Sequence, residues 1–95
     1  MIPLQTLVAE LHALEQELAR FEARYGLLSE TFFAWYQSGQ EPEDSGWVQD
    51  LAMWAGTYQL KLRRQEKYRR LVKEALAQRN VPTLMRESLL VGVPA

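Results

Sequence analysis

Cysteine is absent from this 95-residue chain, which removes disulfides, thiol nucleophiles and zinc-thiolate sites from consideration. Histidine is nearly absent: His12 stands alone, with Val8, Glu15 and Gln16 as its neighbours at helical spacing. A single histidine on a helix flank reads as a solvated or half-buried side chain, since a metal helix needs a second ligand of matching type. No nucleophile elbow and no glycine-rich phosphate loop occurs. Glu15 and Glu17 project from different helix faces and make poor acid–base partners. The expectation is a non-enzymatic protein with no cofactor or metal. No run approaches the roughly 18 apolar residues of a membrane-spanning helix. Met1-Ile2-Pro3-Leu4-Gln5 lacks the basic start and apolar run of a secretory signal. A soluble cytoplasmic protein with no membrane partner is therefore expected.

Charge of one sign is scarce in each half. Residues 1–50 carry nine acids against two bases, and residues 51–95 carry nine bases against three acids. The net charge of −1 conceals this polarity. Seven of the bases (Lys61, Arg63, Arg64, Lys67, Arg69, Arg70 and Lys73) fall within one short stretch. Such a cluster can contact nucleic-acid phosphates. It can equally pair with an acidic helix beside it, face solvent, or meet an acidic protein.

What is plentiful is helical patterning. Leu4, Leu7, Leu11, Leu14, Leu18, Phe21 and Tyr25 alternate spacings of three and four, the seam of an amphipathic helix about 33 Å long. Gly26 supplies a left-handed stop. A short helix is predicted over 30–37, capped by Ser29, with Leu28 and Phe33 at staple spacing. Residues 40–46 read as an acidic loop, with Asp44 or Ser45 as the next cap. A third helix is predicted from Trp47 to Gln78 or Arg79, roughly 50 Å long, before Asn80 and Pro82 stop it. Gly56 within it suggests close helix approach beside Ala52 and Ala55, or else a local break.

The expected fold is all-α: an antiparallel hairpin of two long helices with a short connecting helix over 1–80, plus an apolar C-terminal tail over 81–95. Pairing Tyr25 with Trp47 and Leu4 with Tyr68 leaves the third helix overhanging by about three turns. Leu71, Val72, Ala75 and Leu76 would then lie beyond the reach of helix 1. The tail adds Leu84, Met85, Leu89, Leu90, Val91 and Val93. Bracketed by proline and interrupted by glycine, it is expected either to be mobile until a partner orders it or to fold back over the overhang of the third helix. Together these are the candidate protein-binding surface, and Trp35, Tyr36 and Trp47 are candidate aromatic anchors. The competing assignment for the aromatics is the core, because every one except Tyr68 lies between Phe21 and Tyr58.

The run Phe21-Glu22-Ala23-Arg24-Tyr25-Gly26-Leu27-Leu28-Ser29-Glu30-Thr31-Phe32-Phe33 is followed by Tyr36-Gln37-Ser38-Gly39 and by Trp54-Ala55-Gly56-Thr57-Tyr58. This series resembles the small helical antitoxin-like proteins of bacterial and archaeal toxin–antitoxin modules, over about residues 14 to 65. Their pattern is a leading helix, Tyr-Gly-x-x-Ser-x-x-x-Phe, Tyr-x-x-Gly, an acidic loop and Trp-Ala-x-x-Tyr opening a long helix. The resemblance implies a protein that binds and silences a small, often ribonuclease-like toxin encoded beside it. It carries over Tyr25, Gly26, Ser29, Phe33, Trp54 and Tyr58 as framework residues. The loop here is longer than that pattern's acidic turn, and the tail after Pro82 lies outside it. Two other expectations stand beside this one: a nucleic-acid-binding regulator using the basic stretch, and a coiled-coil structural adaptor. A homo-oligomer is compatible with all three.

Overall fold

A computed structural model describes residues 3–91. Pro3, extended, precedes α1 (Leu4–Tyr25), and its carbonyl accepts the first helical hydrogen bond, from the Leu7 N–H at 3.1 Å. Gly26 ends α1 at φ 74°, where its N–H reaches the Glu22 carbonyl at 2.8 Å. A side chain is disfavoured at that φ, so glycine defines the stop. α2 (Ser29–Gln37) follows, and Gly39 at φ 85° leads out of it. Asp44 accepts a hydrogen bond from the Gly46 N–H at 2.8 Å and starts a 3₁₀ turn, Ser45–Trp47. That turn runs into α3 (Val48–Gln78), and α4 (Val81–Val91) closes the described chain. The protein is all-helical.

α1 lies along α3, and their residue pairs show the direction. The Tyr25 hydroxyl at the end of α1 donates to Asp50 at the start of α3, at 2.7 Å. Near the start of α1, Glu10 meets Arg64, sixteen residues into α3, at 3.0 Å. The three-and-four seam supplies the buried side: Leu7, Leu11, Leu18 and Phe21 are buried, while Leu4, Leu14 and Tyr25 are half-buried. Opposite them, Leu51, Trp54, Ala55 and Ala75 are the buried residues of α3.

Most of the core gathers at the α2 end. Leu18, Phe21, Phe32, Phe33, Leu51, Trp54 and Ala55 form one cluster, with Tyr25, Tyr36 and Tyr58 packed on its edge. Trp54, 1% exposed, is the hub. Phe32 stacks on it at 3.8 Å and 3°, Phe21 at 5.7 Å and 11°, and Tyr25 at 5.6 Å and 20°. Full burial of a large apolar side chain contributes about 1.5–3 kcal/mol, and an aromatic pair adds roughly 0.5–1.5 kcal/mol. This cluster is therefore the energetic centre of the molecule.

Four expectations need correction. Ser29 does not cap α2; the Glu22 carboxylate does, accepting from the Ser29 N–H at 2.8 Å and from its hydroxyl at 2.7 Å. Leu28 forms no staple, since it remains 60% exposed. Gly56 marks neither a break nor a close approach: α3 runs through it, and a Cβ there would meet nothing within 4 Å. The fourth concerns the tail, which is helical from Val81 to Val91. Asn80 and Pro82 end α3 but also begin α4. The Asn80 Oδ1 accepts from the Thr83 N–H at 2.9 Å and its hydroxyl at 2.7 Å, an N-cap, while Pro82 sits in the first turn, where its missing N–H costs nothing.

Candidate functional site

The predicted binding residues divide between the two ends of an elongated body, 51 × 25 × 21 Å. At the α2 end, Tyr36 packs on the core and has only an edge to offer. Trp35 and Trp47 are 39% and 40% exposed. Each is also committed inward, Trp35 tilted against Phe32 and Trp47 edge-on to Tyr25. A shallow concavity of about 460 Å³ lies beside them, walled by Tyr36, Val48 and the loop residues Gly39–Glu43.

At the other end, α4 follows α3 after the extended residue Arg79, and residues of α1, α3 and α4 together line a groove of about 700 Å³. Its walls are Leu4 and Val8 of α1, Tyr68, Leu71, Val72, Ala75 and Leu76 of α3, and Leu84 and Met85 of α4. α1 thus borders this groove; the Tyr25–Asp50 and Glu10–Arg64 pairs put Leu4 level with about Leu71, so α3 runs on past α1 by about two turns and Ala75 and Leu76 lie on that overhang. Polar groups sit on the rim: Gln5, Glu74, Gln78, Arg79, Glu87 and Ser88. Arg79 holds α4 in place through Nη1, which lies 3.0 Å from both carboxylate oxygens of Glu87. Both partners are about 40% exposed, so the pair contributes at most about 1 kcal/mol.

The groove gathers Leu71, Val72, Leu76, Leu84 and Met85 as one surface. Leu71, Val72 and Leu84 are half-buried, whereas Leu76 is 44% and Met85 60% exposed. Leu89 and Leu90 are not in the groove walls and stand out into solvent, 79% and 87% exposed. The side chain of Val91 and the whole of Val93 lie outside the described residues.

The basic stretch spreads around α3. Arg64 alone pairs with α1, its Nε 3.0 Å from Glu10 Oε2. That approach is off the hydrogen-bonding line, because the same buried oxygen has no hydrogen-bond donor. Arg69 pairs along its own helix with Glu66 at 3.5 Å. Lys61 and Lys67 are half-buried. Arg63, Arg70 and Lys73 are exposed and make no ion pair among the described residues. Interhelical charge pairing therefore accounts for one residue of this stretch, and a solvated face for most of the rest.

Sequence reasoning missed a polar relay beneath the aromatic hub. Trp54 Nε1 donates to the Ser29 hydroxyl at 2.9 Å, and that hydroxyl donates to Glu22. Ser29 is buried at 3% exposure, so each partner is needed to satisfy the others. The signal was the Glu22–Ser29 separation across Gly26, which brings an acid over the start of the next helix. Beside the relay, Asp50 accepts from Tyr25 and lies 3.3 Å from Arg24. That hydrogen bond to Asp50 raises the Tyr25 pKa above the ordinary tyrosine value, with burial adding to it.

Among the described residues no group of three or more histidine, aspartate or glutamate side chains could hold a metal ion. No helix there is long and apolar enough to cross a membrane. Comparison with protein-family models, curated proteins and solved structures finds no match for this chain.

Proposed function

We propose that this chain is a non-enzymatic protein-binding module, an antiparallel helical hairpin that works in the cytoplasm as an antitoxin. Its partner would be a small, ribonuclease-like toxin encoded beside it, silenced by steric masking of the toxin's active groove. One observation carries the binding reading: a 700 Å³ apolar groove opens beside a helix whose Met85, Leu89 and Leu90 are exposed. Contiguous apolar surface with a polar rim marks interaction sites in single-chain proteins. The resemblance over residues 14 to 65 supplies the toxin as the partner. Of the framework residues it selects, Ser29 and Trp54 join in the relay, Phe33 lies against Tyr58, and Tyr25 lies on the Trp54 ring.

Co-expression with the product of the adjacent reading frame tests this. The two should co-purify, growth arrest by that product should be relieved, and Leu76→Glu with Met85→Glu should weaken the complex by at least about tenfold. An adjacent product that neither binds nor arrests growth overturns the antitoxin reading. A second reading, a nucleic-acid-binding regulator, is favoured by exposed Arg63, Arg70 and Lys73, which make no ion pair among the described residues. It requires a complex with duplex DNA or RNA near 10⁻⁸ M at about 150 mM salt. Binding of that strength, lost on replacing Arg63 and Arg70 with alanine, would promote it.

A further inference from the structure

The chain has more surface than its mass calls for. A compact monomer of 11.0 kDa exposes about 5,600 Å² by the usual scaling, whereas this one exposes 7061 Å². The excess, about 1,400 Å², goes with the elongated shape of the body, 51 × 25 × 21 Å. Much of the uncovered apolar part sits on α4. Val81, Met85 and Leu89 recur every fourth residue and form one stripe, 53%, 60% and 79% exposed, with Leu90 beside it at 87%. The stripe borders the groove, and Val81 and Met85 contribute to its lip. One molecule therefore carries both an apolar ridge and an apolar recess, side by side at the same end. That is the self-complementary arrangement a twofold contact requires.

We infer that two copies of this chain pair through their α4 ends, each seating its Val81–Met85–Leu89 ridge in the other's groove. At roughly 100 Å² per apolar side chain, the ridge with Leu90 exposes about 300 Å², and the groove, whose lip Val81 and Met85 already form, adds about 200 Å² more. The twofold pair then buries about 1,000 Å², below the standard size, which fits a weak association with a Kd in the upper micromolar range. Charge opposes it only in part. The groove lining carries Glu74, Arg79 and Glu87, with Arg79 already paired to Glu87, but exposed Arg70, Lys73 and Arg86 give both α4 ends the same sign, so the pairing should tighten as salt screens them. The pairing uses the surface assigned above to a protein partner but does not depend on the identity of that partner. Self-association and partner binding exclude each other, so the dimer is a storage form that a tighter partner must dissociate.

Sedimentation equilibrium of the full chain over about 1–500 µM tests the pairing, around the micromolar Kd expected. The expected result is a monomer–dimer equilibrium in the wild type. Met85→Glu with Leu89→Glu should weaken it by at least about tenfold while helical circular dichroism is retained, since both side chains are already exposed. Leu76→Glu, on the α3 wall, is the second variant and should weaken it likewise. A wild type that stays monomeric across the range overturns the inference and leaves the partner reading standing. A dimer unchanged in both folded variants also overturns it, because the contact must then lie elsewhere. An authentic dimer with no partner-binding activity would instead overturn the function proposed above and leave this pairing intact.

Discussion

Ser29→Ala is the sharpest probe of the packing at the aromatic hub. The substitution removes one oxygen and nothing else of consequence. Ser29 is 3% exposed, so no water replaces that oxygen without opening the core. The Trp54 N–H, donating at 2.9 Å in the wild type, loses its acceptor beneath a ring 1% exposed. A buried donor left unsatisfied costs about 1–3 kcal/mol. Glu22 loses the 2.7 Å hydroxyl bond but keeps the 2.8 Å bond from the Ser29 N–H, so the start of α2 stays capped. The whole loss is thus assigned to the relay. For a domain of this size about 1 kcal/mol corresponds to roughly 4–8 °C, so the midpoint of thermal unfolding should fall by at least about 4 °C. Circular dichroism at the helical band measures it. A double-mutant cycle with Trp54→Phe isolates the bond: in the phenylalanine background Ser29→Ala should cost less than half as much, because the donor is already gone. A midpoint within about 1 °C of wild type, or equal costs in both backgrounds, would refute the reasoning, for the donor would then have found another acceptor.

Three further outcomes follow from the same packing. Gly56→Ala adds a methyl group into open space on an unbroken helix, so it should stabilise the protein by about 1 kcal/mol, read from the same melt. A loss of stability would show that α3 needs the glycine to bend. Leu7→Ala, at a position 0% exposed, should cost about 2–5 kcal/mol by urea unfolding, and half-buried Leu14→Ala distinctly less; a reversed order would place the seam one register off. Tyr25 should ionise at higher pH than an ordinary tyrosine, because its neutral hydroxyl donates to Asp50. That contribution to stability is present below pH 10 and is lost as pH rises through the elevated folded value. Asp50→Asn should bring the titration, followed by NMR of the ring, back towards normal; no movement would mean that the hydrogen bond is not the cause.

How much of this was legible in the chain depended on whether a residue acts alone or in company. The seam from Leu4 to Tyr25 announced α1 because periodicity is local and repeated seven times. Gly26 and Asp44 declared their turns for the same reason. Asn80 and Pro82 were legible as the stop of α3 but not as the start of α4, because stop and start signals share residues: an asparagine after one helix can be the cap of the next. Ser29 looked like a cap because its neighbours in sequence suggested it. Its hydroxyl is instead claimed by Trp54, twenty-five positions away, and long-range contacts of that kind leave no periodic trace. Among the binding residues, the apolar character of Leu71, Val72, Leu76, Leu84 and Met85 was visible in the sequence. Their union in one groove depends on where α4 is placed after Asn80, a tertiary fact.

The separation of charge has an electrokinetic consequence. Acids Glu41, Glu43 and Asp44 occupy the loop at the α2 end, while the basic stretch lies along α3 towards α4. The body is 51 Å long, and counter-ions screen a charge within about 8 Å at physiological salt. A molecule approaching either end therefore senses that end alone, and the net charge of −1 describes neither. At neutral pH the protein should adhere to both anionic and cationic surfaces, turning a different end to each. A partner of one sign would be oriented before it touches, much as a compass needle settles before it meets the magnet.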